Sequence, residues 1–328
     1  MKLEDDDLGE LMRRANPVTS AIDERTEAEL VADLSRVLDG RRAARRAPSR
    51  WPWLFVPTAV VAVVLLALVV QSIAPLSPAP KVTAATPPLL EIAPTSQTFG
   101  DAMDTALAQL AETPEVVTPG RGAAFEGWYI QTSVDDDGGS VSFIAPERQE
   151  LTWNADLSGS IRVTAGAAYS PDGGDVNAPP AGTVLNEQSF AAGETPVLFA
   201  VEPPSTVDEM RAYLASTNAM SAQADAVDYL DTIRTFLSEW TPTAAQESAL
   251  LGVIRSLDGV DIAGEVTDRL GREGIAFRAI SATAPEFEKL LILDRTTGRI
   301  LALETIYVGG IAELDIPTPA VVDYIAWE

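Results

Sequence analysis

The stretch Trp51–Ser72 reads WPWLFVPTAVVAVVLLALVVQS, and no charged residue occurs between Arg50 and Lys81. At about 1.5 Å per residue, a helix of this length reaches about 33 Å, enough to cross a hydrocarbon core of about 30 Å. The sequence therefore predicts one transmembrane helix over residues 51–72. The alternatives are a buried core helix, disfavoured because the run is apolar all round, and a cleaved signal peptide, disfavoured by its length and the residues before it.

Basic residues are concentrated on one side of this run. Lys81 is the only basic residue between the run and Arg121, whereas five arginines immediately precede it: Arg41, Arg42, Arg45, Arg46 and Arg50. The positive-inside rule then places residues 1–50 in the cytoplasm and the C-terminal part outside. We predict a single-pass protein of the plasma membrane with a cytoplasmic N-terminus, for which the lipid bilayer is one partner.

Two shorter segments flank the predicted span. Residues 1–50 contain two short amphipathic helical patterns, the second opened by a capping box between Thr26 and Glu29. They either dock on a cytoplasmic protein or lie on the membrane surface, or they form a tail that only sets topology. Residues 73–95 hold six prolines and predict an extended, semi-rigid linker.

Charge and composition exclude several classes of function. Residues 1–50 carry ten basic and eleven acidic side chains, so 24 of the 25 net negative charges belong to residues 51–328. Such a field argues against nucleic acid as a partner, and its simplest role is solubility. The chain has no cysteine and no histidine. It therefore has no disulfides, no thiolate metal site and no histidine-based catalysis.

Residues 96–328 alternate between strand and helix patterns and predict one extracytoplasmic α+β domain. A helix pattern at 98–112 precedes four strand patterns between 127 and 165. After a loop-rich stretch at 166–200 come three helix patterns between 206 and 257 and five strand patterns between 260 and 327. The connections are short and rich in Asp and Gly, which favours an antiparallel sheet covered by helices.

Four sequence blocks support a resemblance. They are GWYIQT (127–132), LTWNADLSGSIRV (151–163), LLGVIRSLDGVDIAGEVTDRLGREGIAF (250–277) and KLLILDRTTGRILALETI (289–306). With the short inner segment and single span, they resemble an actinobacterial family of single-pass membrane proteins of uncertain function. The outer domains of that family are similar to the LolA/RseB-type lipoprotein-carrier fold. The resemblance implies a curved antiparallel half-barrel with helices over its concave side.

The resemblance also implies where a ligand would bind, because the carrier fold holds acyl chains between sheet and helices. Leu151, Trp153, Ile161 and Val163 alternate with polar residues and are our candidates for that inner face. The acidic charge favours a ligand that is neutral or cationic at its polar end, or a protein segment. Some similar proteins act in sigma-factor control, but a zinc-type anti-sigma domain needs His and Cys, which this chain lacks.

No motif points to a reaction, a cofactor or a metal. The run Asp135–Asp137, followed by two glycines, could bind Ca²⁺, but it lacks the spacing of a calcium loop and predicts a hairpin turn. We expect a binding or sensing module for a lipid, lipopeptide or protein partner, with a link to envelope signalling as one option and without enzymatic activity or cofactor. The alternative is an envelope-acting enzyme that uses paired carboxylates, since so many acidic residues always permit some pair.

Overall fold

The computed structural model describes residues 85–113, 119–129, 133–134, 140–141, 143–170, 176, 178–216, 224–310 and 318–328. The predicted cytoplasmic segment, the predicted span at 51–72, most of the linker and the turn at Asp135–Asp137 lie outside these residues. Among the described residues, no helix combines the length and the apolarity that crossing a bilayer requires.

Four helices and twelve strands make up the described part of the chain. The helices are α1 (Phe99–Glu112), α2 (Val207–Ala215), α3 (Ala226–Glu239) and α4 (Ala244–Arg255). The strands are β1 (Gly120–Tyr129), β2 (Ser133–Val134), β3 (Ser140–Val141), β4 (Glu147–Trp153), β5 (Gly159–Ala165), β6 (Val184–Phe190), β7 (Trp240–Thr241), β8 (Val260–Thr267), β9 (Glu273–Ile280), β10 (Phe287–Asp294), β11 (Ile300–Tyr307) and β12 (Ala320–Trp327).

One antiparallel sheet contains strands from both halves of the domain. Its strand order is β6-β5-β4-β1-β12-β11-β10-β9-β8, with β7 added beside β1, while β2 and β3 form a separate hairpin. The N-terminal strands β1, β4, β5 and β6 join the C-terminal strands β8–β12 where β1 pairs with β12, with Phe125 opposite Trp327. The structure therefore confirms an α+β fold with a large antiparallel sheet covered by helices.

The helices cover one face of the sheet, where the larger of two apolar cores lies. Three of them begin with a capping box, in which a Thr or Asp side chain accepts from the first turn of the helix. Apolar residues of α1, α3 and α4 then pack on the inward side chains of the strands, for example Phe99 against Phe277 at 5.7 Å between ring centroids. Lys289 of β10 reaches Asp231 of α3 at 2.5 Å and fastens that helix to the sheet.

The opposite face of the sheet is also buried around β9–β12. Residues 85–93, which we call the strap, place Leu90 and Ile92 against this second core. Two backbone hydrogen bonds of 2.8 Å join Ala93 to Glu265 of β8, and Arg269 donates to the carbonyl of Pro88. The strap thus covers part of this face and pairs with one residue of an edge strand.

Several strands differ from the sequence prediction, most of all β6 and β1. β6 lies in a stretch that we expected to be loop. Its sequence VLNEQSF is largely polar and exposed, which is typical of an edge strand. β1 begins at Gly120, seven residues before the expected start, in a glycine-rich sequence. A Cβ at Gly122 would stand 2.0 Å from the carbonyl oxygen of Leu151, so this strand needs glycine where β4 approaches.

Candidate functional site

The four side chains predicted to line a ligand site share one face of the sheet. Leu151 lies opposite Ile161 across the β4–β5 pair, and Val163 and Trp153 lie two residues away on the same face. Trp153 and Val163 are buried, at 3% and 5% exposure, while Leu151 and Ile161 are half-buried. None of the four lines the cleft or the groove described below, so their ligand-binding role stays a prediction.

Trp153 is surrounded by protein groups. Its indole nitrogen donates to the carbonyl of Glu239 at 2.8 Å, and its ring meets that of Trp240 edge-to-face at 5.0 Å. The guanidinium carbon of Arg121 lies 4.8 Å from each indole centroid. Nη1 of Arg121 is buried and has no hydrogen-bond partner in the described part of the chain, so the two π-faces are its main contacts.

Three buried carboxyl groups have raised pKa values, a feature that often marks catalytic sites. Burial raises the pKa of Glu247 to about 7, although Arg299 at 2.9 Å opposes this shift. Burial likewise raises the pKa of Glu239, whose carboxylate accepts the backbone N–H groups of Leu198 and Phe199. Each of these groups joins one element to another, which gives it a structural role.

The third buried carboxyl belongs to Glu304, which is 1% exposed. Burial raises its pKa, and Arg269 partly offsets the effect. Nε of Arg269 lies 2.7 Å from Oε1 of Glu304 without hydrogen-bond alignment, and Nη2 donates to Oε2 at 3.0 Å. Because Arg269 also holds Pro88 of the strap, this ion pair connects the strap to the sheet.

A cleft of about 240 Å³ opens between α1 and strands β8–β10. Its floor is apolar and consists of Ile275, Phe277 and Leu293 from the helix-covered face of the sheet. Phe277 and Leu293 are each 1% exposed, so the floor is continuous with the main core. Ile275 is half-buried and is the floor residue that a molecule can reach from the edge of the helix.

Small residues on α1 leave this space. Ala102 and Ala106 lie four residues apart, on one side of a helix whose other inward residues are larger, such as Met103 and Leu110. The turn after β10 supports the helix from below, because Gln109 donates to the carbonyl of Arg295 at 2.5 Å. The alanine pair is the sequence signal for the cleft, and none of the predictions made from the sequence included it.

The rim of the cleft is polar. Arg295 pairs with Glu265 at 2.8 Å, with both side chains about 40% exposed, and Asp294 and Thr105 complete the rim. Glu265 and Asp294 contribute two negative charges and Arg295 one positive charge, so the rim carries a net negative charge. A bound molecule would place its apolar part on the floor and an uncharged or cationic group at this rim.

Other ligand chemistry has little support in the described residues. Nowhere in that part of the chain do three acidic side chains group in a way that could hold a metal ion. Comparison of the sequence with known protein families gives no match. No curated protein matches the chain either, so the function has to be inferred from the geometry of the domain.

Proposed function

We propose that this chain is a membrane-anchored extracytoplasmic binding module whose cleft takes the acyl chain of a lipid or lipopeptide. The observation that carries the proposal is the cleft of about 240 Å³ with an apolar floor and a polar rim. A buried apolar cavity of about 150 Å³ is large enough to hold benzene, so this cleft can take a comparable or somewhat longer hydrocarbon segment. It is smaller than a site that encloses a whole drug-sized ligand.

The position of the cleft agrees with the proposed half-barrel. In the carrier fold that the sequence resembles, acyl chains lie between the sheet and its covering helices. The cleft lies on that side of the sheet, under α1, although its floor is formed by β9 and β10 and not by Leu151, Trp153, Ile161 and Val163. We propose that an acyl chain enters beside Thr105 and lies on Ile275, which covers the approach to Phe277.

The negative charge of the rim favours a lipid headgroup that is neutral or cationic. Asp294 and Glu265 lie beside Arg295, and the chain beyond residue 50 carries a net charge of −24. A neutral or cationic headgroup avoids electrostatic repulsion, so we propose a ligand of that kind. We propose no catalytic role, since the three buried carboxyl groups described above hold structural contacts.

Photo-crosslinking in the full chain tests ligand binding at this position. The protein is placed in phosphatidylcholine nanodiscs with a neutral monoacylglycerol that carries a diazirine near the end of its chain. After irradiation, mass spectrometry locates the adducts. We expect adducts on peptides that contain Ile275, Phe277 or Thr105.

Two tryptophan variants of α1 provide the matched comparison. Thr105→Trp fills the mouth of the cleft and should lower the adduct yield at least about fivefold, whereas Ala108→Trp, exposed and outside the cleft lining, should leave it unchanged. Adducts confined to residues 51–72, or equal yields in both variants, would refute the cleft as a ligand site.

Membrane anchorage is tested separately. Protease added to intact spheroplasts should digest the chain beyond about residue 75 and spare residues 1–50, because the arginine cluster holds those residues inside. Protection of residues 96–328 would refute the proposed topology and leave the binding test unaffected.

A further inference from the structure

A second concave surface lies away from the cleft, where the loop after β6 meets α2. This groove is shallow and wide open to solvent, with a volume of about 540 Å³, and its lining includes Leu198, Val201, Glu202, Pro204, Glu209 and Tyr213. It shares no lining residue with the cleft. The chemistry of its occupant therefore follows from its own side chains, independently of the proposed lipid.

The groove is built on a fixed loop. Phe199 is 2% exposed, and its ring contacts those of Tyr213 and Phe236 at 5.2 and 5.6 Å between centroids. The buried carboxylate of Glu239 accepts the N–H group of Phe199 at 2.8 Å. The hydroxyl of Tyr213 donates to the carbonyl of Val201 at 2.5 Å. A loop held in this way loses little further entropy when a partner binds.

Two large apolar side chains point to solvent from this loop. Val201 is 71% exposed and Leu198 is 55% exposed, the two highest values among the large hydrophobic residues of the described ranges. An internal role does not account for them, because their neighbour Phe199 supplies the buried contact. Exposed apolar side chains on a rigid, concave surface with a polar rim are typical of a protein-binding site.

The charges around the groove are acidic. Glu202 and Glu209 line it, both are exposed, and no basic side chain does so in the part of the chain that the structure describes. Thr206 donates to one oxygen of Glu209 at 2.7 Å, which leaves the second oxygen available. Arg211 of the same helix stacks on Tyr229, 5.6 Å from the ring centroid, and contacts Ser256.

We infer that this groove docks a short segment of another protein in which apolar residues alternate with lysine or arginine. The apolar residues would cover Val201 and Leu198, and the cations would pair with Glu202 and Glu209. A short segment buries less area than a standard protein interface, so we expect a weak and transient complex.

The probe is a fluorescein-labelled heptapeptide of alternating lysine and valine, titrated by fluorescence anisotropy against the full chain in phosphatidylcholine nanodiscs, with empty nanodiscs subtracted. We expect saturable binding that weakens as salt is raised, because exposed charges are screened. The heptapeptide with glutamate in place of lysine should not bind. The double variant Leu198→Ser/Val201→Ser should weaken binding at least about tenfold.

Charge-matched controls separate the groove from the general acidity of the domain. Glu202→Lys/Glu209→Lys should weaken binding at least about tenfold, whereas Glu187→Lys/Glu194→Lys, which changes the net charge equally at exposed positions outside the groove, should have less than a threefold effect. Equal losses in the two charge variants would overturn the proposal, as would unchanged affinity in the serine variant. All substituted side chains are exposed, and an unchanged melting temperature verifies folding.

Discussion

Two glycines with nearly the same positive φ angle have very different surroundings. Gly298 ends the turn between β10 and β11 at φ +74°, and Gly271 ends the turn between β8 and β9 at φ +82°. The N–H group of each donates across its turn at 3.0 Å, Gly298 to Asp294 and Gly271 to Asp268. Alanine at either position has the same penalty for a left-handed conformation, about 1–2 kcal/mol.

The steric cost of alanine differs between the two positions. A Cβ at Gly271 meets nothing within 4 Å, whereas a Cβ at Gly298 would stand 2.1 Å from the carbonyl oxygen of Ala106 in α1. Ordinary C···O contacts begin at about 3.3 Å, so α1 or the turn must move by about 1 Å. That movement disturbs Met103 and Leu110, which are fully buried, and such overpacking costs about 1–3 kcal/mol.

Gly271→Ala should therefore lower the free energy of unfolding by about 1–2 kcal/mol and Gly298→Ala by about 2–5 kcal/mol. Urea unfolding of the full chain, followed by tryptophan fluorescence, measures both values, because Trp128, Trp153, Trp240 and Trp327 are buried in the folded domain. A difference of less than about 0.5 kcal/mol between the two variants would refute the close contact between α1 and this turn.

Two further predictions concern buried charges. The pKa of Glu247 is about 7 in the folded state, above its ordinary value of 4.5. Ionisation is therefore less favourable in the folded than in the unfolded state, and the free energy of unfolding decreases as pH rises from about 4.5 to 7. This decrease reaches about 3 kcal/mol at pH 8. Glu247→Gln should make the free energy of unfolding, measured with urea, less dependent on pH in this range, whereas the exposed control Glu273→Gln should leave the pH dependence unchanged. The same pH dependence in both variants would contradict this prediction. Arg269→Met should destabilise the domain by about 3–5 kcal/mol by leaving Glu304 unpaired, and it should speed proteolysis within the strap. The double variant Arg269→Met/Glu304→Gln should recover part of the loss, and no recovery would contradict the ion-pair explanation.

Most of the helices and strands could be predicted from local patterns. The helix pattern at 98–112 corresponds to α1, and the strand pattern at 320–327 coincides with β12. Capping residues and Asp/Gly turns mark these boundaries in the sequence itself, because they act within a few residues. The pairing of β1 with β12 joins residues about 200 positions apart, and no local pattern encodes it.

The alternation that we used to locate an inner face proved informative about orientation. Ile161 and Val163 do share a face with Leu151, as the strand period requires. The period gives no information about what lies opposite that face. Around Trp153, that space is taken by Trp240 and Arg121, which come from other parts of the sequence.

Neither candidate site could be identified from the sequence, because each depends on how neighbouring elements pack. The cleft exists because Ala102 and Ala106 are small where α1 crosses the sheet, and alanine is also the residue that most favours a helix anywhere. Val201 and Leu198 are residue types that usually lie in a core, and they are exposed here because the loop around Phe199 is fixed with their side chains outward. A side chain that is missing from a core, or excluded from it, can be identified only once the neighbouring elements are in place.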